Sequence, residues 1–555
     1  MHEVKKLLLQ AVKDAYNEDI EIVLTRPDEK FGDFATNVAL QLGKKVGQKP
    51  RDIAEKIASE ISKDEKVAKA EVAGPGFINI TMTDQEIFNS ADKAATIKPQ
   101  TYKDEVVVAE YSDPNPFKVL HAGHVYTTVV GDGIATLFEI AGAKVHRVNF
   151  GGDVGRHVAI TMWVILQKLG GENPEKLTSI PEKDRTQWLA DCYVEGNNIF
   201  ETDDQIKVEM IALNKRIYKI HSDNDHDSDF AKIYWLARQW SYEAFDAFYD
   251  RLGTKMEKYY PESEVADLGI TKVKEQLAKG VFEESDGAVI FPGEKYDLHT
   301  RVFINSEGLP TYEAKDIGVV LQKYEDYHFD RSVIVTDNEQ QQYMSVIIKA
   351  IEQFAPKLAK ATTYIPHGKV KLAGGVKMSS RKGNIIKASE VLDVTAEALR
   401  ESDRNADEDV VLAAVKYAFL KYRIGGDIIY DPKESVSLQG NSGPYLQYAH
   451  ARACSILAKV KSSKPTEHNF EPMERSLARK IGEYPEVVEK AVTDLMPHHI
   501  AVYLYELAQA FNRFYEKNRV VDDAREAIRV QLVKAYRDTL ADGLSILKIK
   551  APEKM

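Results

Sequence analysis

Between Tyr102 and Phe150 the chain spells out one supersecondary unit. A short apolar run, Val106 to Ala109, leads to a proline-broken loop, a long helical pattern, a stop at Ala141-Gly142-Ala143 and a second strand-like run, KVHRVNF. Two strands joined through a helix cannot form a hairpin; they lie parallel, and a parallel sheet has to be covered by helices. No other segment restricts the architecture as much. In such a sheet the ligand crevice lies beyond the carboxyl ends of the strands, near a switch in strand order. The loop that leaves Glu110 therefore points into whatever site the domain builds.

A chain of 555 residues is too long for one hydrophobic core. Residues 1–98 read as an α+β domain. Val4, Leu7, Leu8, Ala11, Val12 and Ala15 recur at helical spacing, IEIVL alternates like a strand, and Val38, Ala39 and Leu42 mark a helix after FGDFATN. Pro50 opens a helix with Ile53, Ile57 and Ile61 on one face, and AEVAGPGFINITM reads as strand, turn, strand. A helical pattern from Asp84 to Ala95 runs out at TIKPQ. Residues 99–388 carry the parallel sheet, with a polar, mostly helical insertion at about 170–280, because strand-like runs resume only at GAVIFP, TRVFIN and RSVIVTD. Residues 389–555 keep helical periodicity, interrupted by YRIGGDIIYDPKE and QGNSGPYLQ, and predict an all-α bundle. The fold class is thus multidomain α/β.

Several function classes recede. The amino terminus, MHEVKKLLLQAVKDAYNE, has only a three-leucine apolar run in a charged helical pattern, unlike a signal peptide, and no stretch is apolar enough to span a bilayer. Cys192 and Cys454 lie far apart without C-x-x-C spacing, against a disulfide framework or a zinc site. A cytoplasmic enzyme is expected, and without coiled-coil heptads a monomer. The net charge of -12 weighs against a nucleic-acid partner, yet a local basic strip on an acidic background still serves one.

His121 and His124 fall at the start of the long helix, three apart and on one face. The first turn of a helix offers unpaired N–H groups and the positive end of the dipole, which favour a phosphate. Gly123 lets a flat ring come close, and Pro114 and Pro116 stiffen the approach. Alone, such a pair reads first as capping or packing; as a zinc site it lacks a third ligand. A second signal lies far downstream in VKMSSRKGN, where Lys377, Arg381 and Lys382 surround Ser379 and Ser380, a loop suited to folding over a triphosphate.

Taken together, HAGH and KMSSR resemble the HIGH and KMSKS signatures of the class I aminoacyl-tRNA synthetases. FGDFATN, KPRDIAEKI, AGPGFIN, GNSGPYLQYAHAR and LYELAQAFNRFYEKNRV are similar to motifs of the arginyl branch, nearly end to end. The resemblance implies a Rossmann-type catalytic domain, a tRNA-contacting domain before it and a helical anticodon-binding domain after it. It implies an arginine–tRNA ligase whose partners are ATP, with accompanying Mg2+, L-arginine and tRNA(Arg). His121, His124, Lys118, Lys377 and Lys382 would be catalytic; Gly123, Met378, Ser379 and Ser380 would join the two histidines in holding ATP. Glu110, Asn115, Tyr312, Asp316 and Gln340 would form the arginine pocket, with Tyr312 and Asp316 one helical turn apart. Arg513 and Arg519 are candidates for tRNA, and no metal ligand is expected from the protein.

One position departs from the family: Ser380 stands where KMSKS has lysine, and Lys118, three residues before His121, is placed to supply that charge. Two rivals stay open, a synthetase-like tRNA-binding protein that has lost catalysis and a small-molecule adenylyltransferase. HSDNDHDSD, His221 to Asp229, reads as a solvated acidic loop; Phe511, Phe514 and Tyr515 read as core or groove lining, and Trp235 and Trp240 as helix packing.

Overall fold

The computed structural model describes residues 2–373, 387–402, 404–460 and 469–555. At its centre is a five-stranded, wholly parallel sheet. Across the sheet the strands run Thr362–His367, Arg331–Asp337, Val106–Glu110, Lys144–Gly151 and Lys258–Pro261. In chain order the first strand, Val106–Glu110, sits in the middle, and later strands add on either side of it. The order reverses between this strand and Arg331–Asp337, the position at which a crevice opens in a doubly wound sheet. The predicted crossover is the helix Ala122–Ile140, buried along nearly its whole length.

The strands Ala288–Phe291 and Arg301–Ile304 do not join this sheet. With Glu283–Ser285 they form a separate three-stranded antiparallel sheet. Conversely, the sheet takes its outermost strand, Lys258–Pro261, from inside the span read as helical insertion. Four residues, KYYP, carry too little alternation to stand out among helices. The helices Glu182–Thr202, Asp204–Ser222 and Asp229–Leu252 do fill most of that span, packed around buried Phe230, Tyr234 and Trp240. Two glycines then set a close helix crossing. A Cβ on Gly269 would lie 2.0 Å from the Ala314 carbonyl, and one on Gly318 2.2 Å from that of Val265, so the helices Glu262–Leu277 and Tyr312–Tyr327 meet backbone to backbone.

The N-terminal region has helices His2–Tyr16, Val38–Val46 and Pro50–Ile61 over a four-stranded sheet. The predicted strand IEIVL is reduced to Leu24–Thr25, because its neighbour Phe34–Thr36 is itself only three residues long. From Ala388 onward the described elements are helices, apart from the strand Ile428–Tyr430, which pairs with Val370–Leu372. No described helix is long and apolar enough to cross a membrane.

Candidate active site

The crevice beyond the first strand begins with Glu110. Its carboxylate accepts from Lys323 Nζ at 2.6 Å, and both side chains are buried. The loop that follows is strained: Ser112, Asp113 and Phe117 all have positive φ, at 77°, 45° and 65°. Cross-bonds hold it there. Ser112 Oγ accepts from Thr128 at 2.9 Å and from Tyr249 at 3.0 Å, and Phe117 N–H donates to Ser241 Oγ at 3.0 Å. Asp113 accepts the Phe150 N–H at 2.9 Å, and Asn115 Oδ1 the Gly152 N–H at 2.7 Å, which ties the loop to the end of the second strand.

His121 and His124 resolve the question left open by their spacing: they cap the helix and also face the crevice. His121 is the N-cap, its Nδ1 accepting the Gly123 N–H at 3.1 Å; His124 Nδ1 accepts the His121 N–H at 3.0 Å. A Cβ on Gly123 would lie 2.9 Å from the His121 ring, so the glycine is needed for the imidazole's own fold-back. Burial, with Lys118 and, for His124, the His121 ring, holds both imidazoles below the ordinary histidine range. A neutral ring whose Nδ1 accepts must carry its proton on Nε2. The cap therefore fixes two Nε2–H donors.

Lys118 lies close enough to depress both histidines and His157, whose ring burial drives down to about 3. Its Nζ stands 5.7 Å from the Tyr193 ring, and no carboxylate among the described residues forms an ion pair with it. Opposite lies an acidic pocket. Asp316 accepts the Tyr343 hydroxyl, and its carboxyl is pushed up to about 8, first by burial and then by Glu110, Glu262 and Glu313. Asp113 is raised as well, by burial and by Glu110. Glu262 is buried and paired with Lys315 at 2.6 Å across the glycine crossing. Tyr312 is 58% exposed at the rim, its ring 5.1 Å from Lys315 Nζ, and Gln340 is exposed beyond the fourth strand, bonded to Thr336.

The predicted residues Glu110, Asn115, Lys118, His121, Gly123, His124, Tyr312, Asp316 and Gln340 thus come from three chain segments to the carboxyl edge of one sheet. Lys377, Met378, Ser379, Ser380, Arg381 and Lys382 lie outside the described residues. The segment just after them reaches the site: Lys387 bridges His121, and Ala388 N–H donates to the Leu120 carbonyl at 2.9 Å. Arg513 and Arg519 are not part of this crevice; both are exposed in the C-terminal bundle, with Arg519 bonded to the Val521 carbonyl at 2.9 Å. Phe511 and Phe514 are core residues there. In HSDNDHDSD, Asp225 ties down Ser228 and His221 meets the Tyr234 hydroxyl at 2.7 Å. Sequence reasoning missed Asp113, Glu262, Lys315, Lys323 and Tyr343. Asp113 stands in the DPNP loop already singled out, and only that proximity marked it.

The model of the class I (R) tRNA synthetase catalytic domain matches residues 86–430, more than half of the chain. The chain belongs to the class I arginyl-tRNA synthetases. The arginyl-tRNA synthetase N-terminal domain matches 2–82, and the DALR anticodon-binding domain 446–555. Relatives of this synthetase include the arginine–tRNA ligases of Fusobacterium nucleatum, 30% identical over 95% of this chain and 94% of that one, and of Porphyromonas gingivalis, 28% identical over 98% of each. The arginyl-tRNA synthetase structure from Thermus thermophilus shares the fold over the full length of both chains, with a TM-score of 0.80 at 23% identity.

Proposed function

We infer that the crevice joins L-arginine to tRNA(Arg) in two steps, with the acidic pocket holding the guanidinium and the capped histidines holding ATP. One observation carries this reading: a carboxylate pocket around Asp316 lies on the same sheet edge as two imidazoles fixed as Nε2–H donors. In the first step the arginine α-carboxylate attacks the α-phosphorus of ATP, an arginyl-adenylate forms and pyrophosphate leaves. In the second, a hydroxyl of the terminal tRNA ribose attacks the arginyl carbonyl and AMP leaves. The substrates supply the nucleophiles, so the protein's work is placement and stabilisation of developing charge.

Within this division, Asp316, Glu110, Asn115, Tyr312 and Gln340 form the arginine pocket, extended by Asp113 and Tyr343. Two fixed carboxylates suit the planar fork of a guanidinium better than the point charge of lysine. Glu110 acts partly through its pair with Lys323, which neutralises it and sets its position. His121, His124 and Gly123 hold ATP; Lys118, free of a described carboxylate, stands in for the cation that Ser380 does not provide. Lys377, Met378, Ser379, Ser380 and Lys382, outside the described residues, complete the ATP-binding set. Mg2+ enters as part of MgATP, held by phosphate oxygens; no group of three metal-ligating side chains occurs among the described residues. Arg513 and Arg519 meet the anticodon arm. The enzyme acts as a cytoplasmic monomer with domains 1–98, 99–388 and 389–555, and light scattering at assay concentration checks the oligomeric state.

The deciding experiment is arginine-dependent ATP–pyrophosphate exchange, with and without tRNA(Arg), with lysine and glutamate as controls. Exchange with arginine alone supports the reading, and a requirement for tRNA would show that it completes the site. A folded protein that binds tRNA yet gives no exchange under any condition would instead be a binding protein, with Ser380 marking the lost activity.

A further inference from the structure

Glu474 and Arg475 are neighbours on the helix Pro472–Ile481, and they reach different partners. Glu474, fully buried, accepts from Arg525 Nε and Arg529 Nε, each at 2.8 Å, which ties the helix to the C-terminal bundle. Arg475 turns to the N-terminal region and forks onto the Asp33 carboxylate at 2.9 and 2.8 Å. Asp33, from the FGDFATN stretch, is 1% exposed and also accepts the Met82 N–H at 2.8 Å. A second fork lies beside it: Arg26 grips Glu486 through two bonds of 2.8 Å and reaches the Gly482 carbonyl at 3.1 Å. At its other end the Glu474 network continues through Arg529, which donates to the carbonyl of Arg519 at 2.7 Å.

Domain interfaces within a chain are by default loose enough to move. A buried carboxylate whose cationic partner lies only across the interface resists that motion, because separation would leave a desolvated charge alone. A bidentate fork also fixes angle as well as distance. We propose that Asp33, Arg475 and Glu474 are positioning residues for tRNA: one buried charge relay holds the N-terminal region and the Arg519 turn in a single register, so that the tRNA meets both surfaces at a fixed separation. This rests on the reading of the chain as a ligase for tRNA(Arg). None of the three residues touches the reacting atoms; they act through the surfaces they hold.

The test is steady-state aminoacylation by full-length Asp33→Asn, which keeps the shape and removes the charge. KM for tRNA(Arg) is expected to rise roughly tenfold or more, with kcat and the KM values for arginine and ATP unchanged at saturating tRNA. Ile57→Val, in the buried core of the N-terminal region, serves as a control that lowers stability and leaves the tRNA KM alone. A disulfide supplies the rescue: a Cβ at Gly482 lies 3.4 Å from Ser90 Cβ, close to the roughly 3.5–4.5 Å that a disulfide needs. Adding Ser90→Cys and Gly482→Cys to Asp33→Asn should restore the tRNA KM when oxidised and lose it again on reduction. An unchanged tRNA KM in Asp33→Asn, or a raised one that the oxidised disulfide does not lower, overturns the proposal. Wild-type protein that fails to charge tRNA(Arg) in the same assay would sink the ligase reading before any variant is compared.

Discussion

His121 and His124 cap one helix reciprocally: each commits its Nδ1 to a backbone N–H, at 3.1 and 3.0 Å, and so carries its proton on Nε2. Stability and activity can therefore be separated. His121→Asn keeps a good N-cap acceptor but removes the Nε2 donor. The melting temperature should hardly move while pyrophosphate exchange falls roughly 100- to 1,000-fold, the cost of one aimed donor. Equal losses of both would mean that the ring serves only the helix.

Gly123→Ala follows the same logic from the other side. Alanine favours a helix interior by about 1 kcal/mol, yet its Cβ would sit 2.9 Å from the His121 ring. Thermal melts should show a protein no less stable, with exchange reduced through a displaced imidazole. Wild-type exchange in this variant would show that the fold-back of His121 does not matter.

The Glu110–Lys323 pair is buried on both sides. Lys323→Met leaves the carboxylate without its cation and should cost about 3–5 kcal/mol. The double variant Glu110→Gln/Lys323→Met should regain much of that stability in denaturant titrations while arginine binding stays impaired. Additive losses in the double-mutant cycle would rule out this coupling.

Asp316 gives arginine binding a pH signature. Its carboxyl is raised to about 8, above the ordinary unfolded value of about 4, so the fold loses stability as pH rises between those values, and Asp316→Asn removes that slope. A guanidinium pairs with the ionised form. Below pH 8 binding should expel a proton, and the Kd for arginine should fall roughly tenfold per pH unit, then level off. Calorimetry in buffers of different ionisation heat counts that proton; none released at pH 7 would contradict the assignment.

Lys118 and Ser380 make a paired prediction. Lys118→Ala should slow activation roughly 100-fold or more with arginine binding intact, and Ser380→Lys in that background should recover part of the rate. Unchanged activation in Lys118→Ala would end the idea of compensation.

What was legible in the sequence follows from the range of the forces involved. Periodicity and glycine stops found Val106–Glu110, Ala122–Ile140 and Lys144–Gly151, because those signals lie within one element. The helix start at Tyr312 was legible for the same reason. The partners that tune the site were not legible. Lys323 and Lys315 are of a residue type almost never buried unless paired, and only the pairing with Glu110 and Glu262, distant in sequence, puts them inside. The edge strand Lys258–Pro261 likewise exists because Lys144–Gly151 offers it a free side.

Around the proposed arginine pocket, two carboxylates are already answered by ammonium groups in the wall, Glu110 by Lys323 and Glu262 by Lys315. Asp316 and Asp113 form no direct ion pair among the described residues, although Lys323 acts on Asp113 from a distance, and both are raised toward their protonated forms. Below about pH 8 the Asp316 carboxyl favours its protonated form, and a ligand that brings its own positive charge would displace that proton. A side chain of the same length and outline ending in an uncharged urea, as in citrulline, would leave the proton where it is, so the proposed pocket would tell the two apart by charge before shape is tested.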